Sequence, residues 1–264
     1  MLIFRFFEAQ NFVINKKFFL TKDNSHKIIN VLRLKINDHI SVFNDTNTEF
    51  MASITAIKSK LVEIEIIQVN YKNLESPIKI HLAQAIVKND NMDWIIQKAT
   101  ELGVYKITPI ITKKSIVKTT NQQQKLLHWQ SIAIAACCQS GRNIITKINN
   151  PVYFDKFLLD PTLDLSYKFI LSPRFPITAT TNNQDTNYNN INAQEQQSSL
   201  QPDLLDLNKE IILMIGSESG FTNEELILAL NKQFSVLTLG PRILRTETAP
   251  IVAISILQSK YGDL

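Results

Sequence analysis

The sequence predicts a small β-barrel followed by an α/β domain with a mostly parallel sheet. Up to residue 74, short β-branched and aromatic runs alternate with turns rich in Asn, Asp and Lys, a pattern typical of a small barrel. From residue 78 onward, continuous apolar runs alternate with helical patterns, as in parallel strands covered by helices on both faces. A polar stretch at 71–77 separates the two patterns. We therefore predict two domains, over residues 1–74 and 75–264.

The predicted barrel contains several short strands and one helix. The helix is indicated over residues 25–33, because apolar side chains recur at helical spacing after the cap candidates Asp23 and Asn24. His26 and Arg33 belong to this unit and would be able to touch RNA, although ordinary polar surface residues explain them equally well. The strands are predicted at residues 2–7, 17–20, 39–43, 50–57 and 61–69.

The predicted α/β domain alternates strands with helices. Its strands are expected at residues 78–87, 105–111, 168–171, 210–215 and 234–239. Its helices are expected at 90–102, at 122–140, as a shorter piece at 151–159, from Thr222 onward, and at 251–257. Asn89 or Asp90 would cap the first of these helices and Gly103 would close it. Thr222 and Glu225 form a capping box, which marks a helix start clearly.

Composition restricts the setting of the protein. Hydrophobic residues make up 44% and charged residues 20% of the chain, as in an ordinary soluble protein. Arg5 and Glu8 interrupt the apolar N-terminus, so it fails as a signal peptide, and no apolar run reaches the roughly 20 residues of a membrane span. Cys137 and Cys138 are adjacent and cannot link distant segments. We expect a reducing, cytoplasmic location, and no membrane partner.

Two segments stand out by composition. Residues 76–150 hold ten Lys or Arg against three Asp or Glu, which would suit a phosphate backbone, although a solvated lysine surface is the simpler interpretation. Residues 177–208 are rich in Asn, Gln, Thr and Ser and cannot bury enough apolar surface to offset their chain entropy. We interpret them as a low-complexity surface insertion in the second domain.

Polar loops follow three of the predicted parallel strands. They are Leu-Ser-Pro at 171–173, Gly-Ser-Glu-Ser-Gly at 216–220, and the stretch 238–249 with its Gly-Pro turn, two arginines and one glutamate. Ligands of parallel α/β sheets bind beyond the carboxyl ends of the strands. Two arginines and a Glu there suggest an anionic or polarisable ligand, whereas a solvated loop with an internal ion pair is the plainer alternative.

Several kinds of site are disfavoured by the motifs. Gly-x-Glu-x-Gly at 216–220 is neither a Walker loop nor a dinucleotide fingerprint, so the pattern disfavours nucleoside triphosphates and NAD as ligands. No His, Cys or Asp cluster has metal-ligand spacing, and no serine occupies a nucleophile elbow. His81 and His128 are most simply side chains of a strand and a helix.

The strings Ile-Gly-Ser-Glu-Ser-Gly-Phe-Thr-Asn-Glu-Glu at 215–225 and Leu-Gly-Pro-Arg-Ile-Leu-Arg-Thr-Glu-Thr-Ala at 239–249 carry a family resemblance. They resemble the SPOUT RNA methyltransferases, and within them the 16S ribosomal RNA uridine-N3 methyltransferase family (RsmE type). The motifs at 26–33, 92–103 and 139–142 are also similar to that family. Two features depart from its pattern. Ser217 and Ser219 stand where a Pro and a Gly are usual, and Cys138 stands where a Glu is usual.

The resemblance implies a PUA-like barrel, a trefoil-knotted SPOUT domain, a homodimer, and S-adenosylmethionine bound by the three loops. The implied cofactor-binding residues are Leu171, Ser172, Ile215, Gly216, Ser217, Gly220, Leu239, Gly240, Ile243 and Leu244. The implied RNA-binding residues are His26, Arg33, Lys113, Lys114, Gln139 and Arg142. The expected partner is 16S rRNA in the small ribosomal subunit, whose maturation the modification would aid. No metal is expected.

The implied reaction transfers a methyl group to N3 of an unstacked uridine. Arg245 would stabilise the negative charge that develops on the uracil ring, while Glu218 or Glu247 orients it or relays the proton. Residues 239–244 would contact the cofactor, and Arg245 with Glu247 would face the base. The alternatives are a SPOUT enzyme acting on tRNA or a ribose 2′-hydroxyl, and a non-catalytic RNA-binding protein. Binding of S-adenosylmethionine would exclude the last of these.

Overall fold

The computed structural model describes residues 3–115, 121–172, 197–198, 206 and 208–264. The chain separates into two compact units, one formed by Met1–Glu75 with Ile134–Ile145, the other by Ser76–Ala133 with Thr146–Leu264. Pro173 and most of the predicted insertion at 177–208 lie outside the described residues. So do Leu2, the first residue of the strand predicted at 2–7, and Lys118, one of the ten basic residues of the segment 76–150.

The first unit is built on a β-sheet in the order β1-β3-β4-β5-β2. Its strands are β1 Arg5–Phe7, β2 Lys17–Phe19, β3 His39–Phe43, β4 Glu49–Lys58 and β5 Leu61–Asn70. β1 is parallel to β3, and the other pairs are antiparallel. Alternate residues of β4 and β5 are buried, among them Ile54 and Ile64, because successive side chains of a strand point to opposite faces. The predicted strand positions are confirmed to within a few residues.

The helix of the first unit starts earlier than predicted. α1 covers Lys22–His26 and continues as a π-helical turn over Lys27–Leu32. Thr21 is its cap, since the Thr21 hydroxyl accepts from the Asn24 N–H. Buried Glu8 accepts from the Thr21 N–H at 2.8 Å and from the Asn24 side-chain amide at 2.9 Å. The predicted cap at Asp23 or Asn24 was therefore wrong, because Thr21 is fixed by a residue distant in sequence.

Residues 134–145 complete the first unit from the middle of the chain. They include the end of helix α3, Gln122–Ser140. Arg5 donates to Glu49 Oε1 at 3.0 Å, to Asn143 Oδ1 at 2.7 Å and to the Cys137 carbonyl at 3.1 Å. Arg142 is 3% exposed and donates from Nε to Glu75 at 3.2 Å. These bonds join the segment to strands and loops of the N-terminal part.

The second unit is built on a sheet in which all the described strand pairs are parallel, as predicted. The order is β11-β13-β10-β12-β6-β7-β8, with β9 also paired to β7. The strands are β6 Ile80–Ala85, β7 Lys106–Ile111, β8 Lys147–Ile148, β9 Val152–Tyr153, β10 Tyr167–Leu171, β11 Gln197–Ser198, β12 Ile211–Ile215 and β13 Ser235–Leu237. Every residue of β6 and β12 is buried, which explains the unbroken apolar sequence of β12. β6 buries the polar side chains of His81 and Gln84 as well.

Helices cover this sheet. They are α2 Asn89–Glu101, α4 Phe154–Leu158, α5 Asn223–Asn231 and α6 Thr248–Tyr261, with a 3₁₀ turn at Pro161–Leu165. α4 and α5 pack on one face, where Phe157 and Leu230 share a buried cluster with Ile212 and Met214 of β12. The capping box of Thr222 and Glu225 is confirmed. The predicted helix at 151–159 was wrong in its first part, because Val152 pairs with Ile110 of β7 before α4 begins.

α2 has no side-chain cap, since Lys88 occupies the cap position and its side chain makes no capping bond. The prediction of Asn89 or Asp90 as the cap was therefore wrong. Within the described part of the chain, no helix combines the length and the apolar character that crossing a membrane requires.

Candidate active site

A cavity of about 500 Å³ lies in the second unit, where the loops after β10, β12 and β13 meet the first turns of α2 and α6. Its volume falls within the range of roughly 300–1,000 Å³ that is usual for ligand pockets. Its position is that expected of a parallel α/β sheet, since the carboxyl ends of the strands leave room between their loops. The sheet therefore brings together segments that are far apart in sequence.

All thirteen residues predicted to bind cofactor or to act in catalysis line this cavity. They are Leu171, Ser172, Ile215, Gly216, Ser217, Glu218, Gly220, Leu239, Gly240, Ile243, Leu244, Arg245 and Glu247. The wall combines branched apolar side chains with backbone groups of the glycine-containing loops. Such a wall suits a flat, partly apolar ligand with a polar end, as a nucleoside derivative has.

The loop at 216–220 is folded tightly on itself. A Cβ added to Gly216 would lie 3.0 Å from the Gly220 Cα, so no larger residue fits there without movement. Gly220 has a φ of +66° and donates its N–H to the Ser217 carbonyl at 2.8 Å. Both glycines are thus required by the local geometry, one by close approach and the other by a left-handed backbone.

Thr246, in the stretch 238–249, forms a hydrogen bond to the loop at 216–220. Its buried hydroxyl donates to the Gly216 carbonyl at 2.8 Å. The Gln84 side chain at the end of β6 reaches the same carbonyl at 3.4 Å. The carbonyl of Gly216 is therefore satisfied by two side chains from different strand ends, which fixes one loop relative to the others.

Arg245 and Glu247 differ in how firmly they are held. Glu247 accepts from the Asn91 side-chain amide at 3.4 Å, and its side chain is 23% exposed. The Arg245 side chain is 85% exposed, and its nearest nitrogen lies 4.0 Å from Glu247. A guanidinium so loosely paired keeps its donors available to a ligand. Glu218, on the neighbouring loop, is also exposed.

Six further residues line the cavity without having been assigned from the sequence. They are Lys88, Asn91, Leu237, Arg242, Thr246 and Ala249. Lys88 and Asn91 follow β6, a fourth strand end. The rule that identified the other three loops would have found them, but the sequence after β6 carries no glycine or proline turn to draw attention to it. Arg242 and Thr246 lie within the stretch that was singled out.

The predicted RNA-binding residues are divided between the units. His26, Arg33 and Gln139 are exposed on the first unit, whereas Arg142 is buried against Glu75, so an RNA contact would require that pair to open. On the second unit, Lys113 and Lys114 are exposed lysines in the segment after β7. The Lys114 ammonium donates to the carbonyls of Ser219 at 3.1 Å and Phe221 at 2.9 Å.

A metal centre is not apparent in the described part of the chain, where no three His, Cys, Asp or Glu side chains are grouped so as to hold an ion.

Comparison with known proteins agrees with the architecture of both units. Residues 74–258 match the model of an RNA methyltransferase domain, and residues 20–67 match that of an RNA methyltransferase PUA domain. Ribosomal RNA small subunit methyltransferase E of Buchnera aphidicola subsp. Acyrthosiphon pisum is 37% identical, over 95% of this chain and 90% of the relative.

Two solved structures resemble the whole chain. One is a ribosomal RNA small subunit methyltransferase E from Neisseria gonorrhoeae bound to S-adenosyl methionine, with a TM-score of 0.85 and 31% identity over the full length of both chains. The other is a methyltransferase from Legionella pneumophila in complex with the same cofactor, with a TM-score of 0.84 and 36% identity over the full length of both.

Proposed function

This chain belongs to the family of ribosomal RNA small subunit methyltransferase E, with a PUA-like N-terminal domain and a SPOUT-type α/β domain, and we propose that it methylates N3 of a uridine in 16S rRNA. The methyl donor is S-adenosylmethionine. The observation that carries the proposal is the cavity, in which an exposed arginine and an anchored glutamate stand beside an apolar, glycine-lined wall.

The residues of the cavity fit this cofactor. Leu171, Ile215, Leu239, Ile243 and Leu244 would hold its adenosine part, and the backbone of the loops would contact its polar groups. Gly216 and Gly220 both line the cavity and carry no side chain that would separate the loop backbone from a ligand. When bound, the cofactor supplies an electrophilic methyl group on a sulfonium sulfur.

Arg245 would activate the uridine. N3 of uracil carries a proton at neutral pH, so negative charge develops on the ring as that proton leaves. The guanidinium, free of any close ion pair in the described structure, would donate to a uracil oxygen and stabilise this charge. Glu247, held by Asn91, would orient Arg245 from 4.0 Å, and either it or Glu218 would accept the proton.

The remaining parts of the proposal concern partners. The first unit would hold rRNA through exposed residues such as His26 and Arg33, and the enzyme would act as a homodimer on the small subunit in the cytoplasm during ribosome maturation. The polypeptide knot expected of this fold also remains a prediction.

Mass spectrometry of rRNA tests the proposal. In a strain lacking the gene, digested 16S rRNA should lose one N3-methyluridine, and the wild-type gene on a plasmid should restore it. A plasmid encoding Arg245→Ala should not. If N3-methyluridine persists in the deletion strain, or if the missing modification is found in tRNA or on a ribose, the assignment is wrong.

A further inference from the structure

The segment 112–115, which follows β7, contacts the loop at 216–220 through Lys114. The Lys114 ammonium donates to the carbonyls of Ser219 and Phe221, at 3.1 and 2.9 Å. In return the Ser217 hydroxyl reaches the Lys114 carbonyl at 3.5 Å. Lys114 therefore binds the loop from both its side chain and its backbone, and its two carbonyl partners flank Gly220.

The segment that presents Lys114 is itself anchored. The Ser115 hydroxyl lies 3.1 Å from the Thr112 nitrogen and 2.9 Å from its hydroxyl. The Lys113 N–H donates to Glu225 Oε1 at 2.8 Å, and Glu225 Oε2 accepts from the Thr222 N–H at 2.8 Å. Glu225 is 2% exposed. The same carboxylate thus fixes both the segment before Lys114 and the first turn of α5.

The loop needs such support because its own sequence is permissive. Gly-Ser-Glu-Ser-Gly contains two glycines and no proline, so its backbone loses much conformational freedom when it becomes ordered. A loop already held in its folded form would lose less freedom when a ligand binds. Charge-assisted hydrogen bonds to carbonyls are among the stronger bonds available for this purpose.

We propose that Lys114 is a positioning residue that holds the loop at 216–220 in its ligand-binding form. The inference rests on the proposed function, since it takes this loop to contact S-adenosylmethionine. It differs from the sequence-based expectation, in which Lys114 binds RNA. Lys113 offers a matched control for cofactor binding, because it is adjacent and, among the residues that the structure describes, its ammonium makes only a 3.9 Å pair with the exposed Glu224.

Calorimetric titration with S-adenosylmethionine distinguishes the two roles of Lys114. For the full-length Lys114→Met protein we expect affinity for the cofactor to fall about tenfold, because both charged hydrogen bonds from the ammonium to the loop are lost. Lys113→Met should stay within about twofold of wild type, and Lys114→Arg, which keeps donors and charge, should recover most of the affinity. In steady-state assays, KM for the cofactor should rise more than kcat falls.

Binding to 16S rRNA in the absence of cofactor supplies the second measurement. If the inference holds, Lys114→Met binds rRNA as the wild-type protein does, with the same salt dependence. Unchanged cofactor affinity together with weaker, less salt-dependent rRNA binding in Lys114→Met would overturn it and assign the residue to a phosphate contact. Should Lys114→Met fail to fold, Lys114→Gln, which keeps a donor, replaces it. A wild-type protein that bound no S-adenosylmethionine would contradict the proposed function itself.

Discussion

The proposed chemistry depends on two neighbouring side chains that are held very differently. Asn91 fixes Glu247, while Arg245 is exposed and paired only at 4.0 Å. An ion pair of that length at a solvated position contributes little to stability. Arg245 can therefore be replaced with little damage to the fold, and its contribution to turnover can be measured separately.

For Arg245→Ala we expect kcat to fall by about 100- to 1,000-fold, as when one charge-stabilising donor is removed. Affinity for S-adenosylmethionine should change only a few-fold, since the apolar wall and the glycine loops remain. Single-turnover transfer of a labelled methyl group and calorimetry measure the two effects. Near-normal turnover, or a loss of cofactor affinity as large as the loss of turnover, would exclude the proposed role.

Thr246 provides a test of how the loops are joined. Thr246→Val keeps the shape of the side chain but removes the donor to the buried Gly216 carbonyl. We expect a weakening of cofactor binding by about 1 kcal/mol, because the remaining bond from Gln84 is long at 3.4 Å. Thr246→Ser keeps the donor and should bind like wild type. Equal affinity of the Val and Ser variants would show that the bond is dispensable.

Single residues also show where reasoning from sequence stops. The arginines and glycines of the site could be identified because they fall in loops at strand ends. The contacts of Lys114 could not be predicted from the sequence, because its partner carbonyls lie 105 and 107 residues further along the chain. Asn91 was missed for the same reason, since Glu247 is 156 residues away. Composition had placed Lys114 in a basic segment, with nothing to indicate an internal bond.

Among the secondary-structure elements, α5 is the one whose start matters most for the site. Its capping box satisfies the Thr222 and Glu225 N–H groups, and Glu225 also accepts from the Lys113 N–H. The helix therefore begins directly after the loop at 216–220 and is tied to the segment that follows β7.

Glu225→Ala should destabilise the second unit by about 1–3 kcal/mol, because it leaves two backbone N–H groups without their acceptor at a buried position. Glu224→Ala, which removes an exposed carboxylate from the same helix turn, should cause a much smaller change. Urea unfolding followed by tryptophan fluorescence is suited to this comparison, since Trp94 and Trp129 both belong to the second unit. Equal destabilisation by the two substitutions would contradict the role given to Glu225.

Elements were predictable where the signal is local. α3 was predicted with the bounds that the structure shows, and the capping box marked the start of α5. The helix of the first unit was misplaced because its cap depends on Glu8, and its π-helical turn has a periodicity that a 3.6-residue pattern does not represent. Val152 and Tyr153 join β9 through pairing with β7, which is a long-range contact.

At the scale of the whole molecule, a polar cluster lies at the amino-terminal edge of the sheet in the second unit, near the starts of β6, β7 and β12. Buried His81 contacts Thr108 through Nε2 at 2.7 Å, and its Nδ1 lies 3.6 Å from Glu210. Burial holds the pKa of His81 below its ordinary value of 6.5, although Glu210 acts in the opposite direction. Glu210 also pairs with Lys106 at 2.9 Å.

The stability of the second unit should therefore fall as the pH falls below 6.5. Below that value His81 binds a proton in the unfolded chain but not yet in the folded protein. The contribution of His81 to the free energy of unfolding is therefore fully present above pH 6.5 and is lost as the pH falls towards the lower pKa of the folded state. The loss is bounded by about 1.4 kcal/mol per pH unit. Tryptophan-detected urea unfolding at pH 7.5 and 5.5 should show a larger decrease for wild type than for His81→Gln. An equal decrease would assign the pH dependence to other groups.

The participation of residues 134–145 in the first unit has a consequence for biosynthesis. A ribosome that has finished residue 75 has not yet made Asn143 or Cys137, whose atoms accept from Arg5, nor Arg142, the partner of Glu75. The first unit therefore lacks these hydrogen-bond partners until the first strands and helices of the second unit have been translated. The codons for residues 1–75 therefore do not encode the whole of the first unit, and a transplanted N-terminal domain would have to carry this later segment with it.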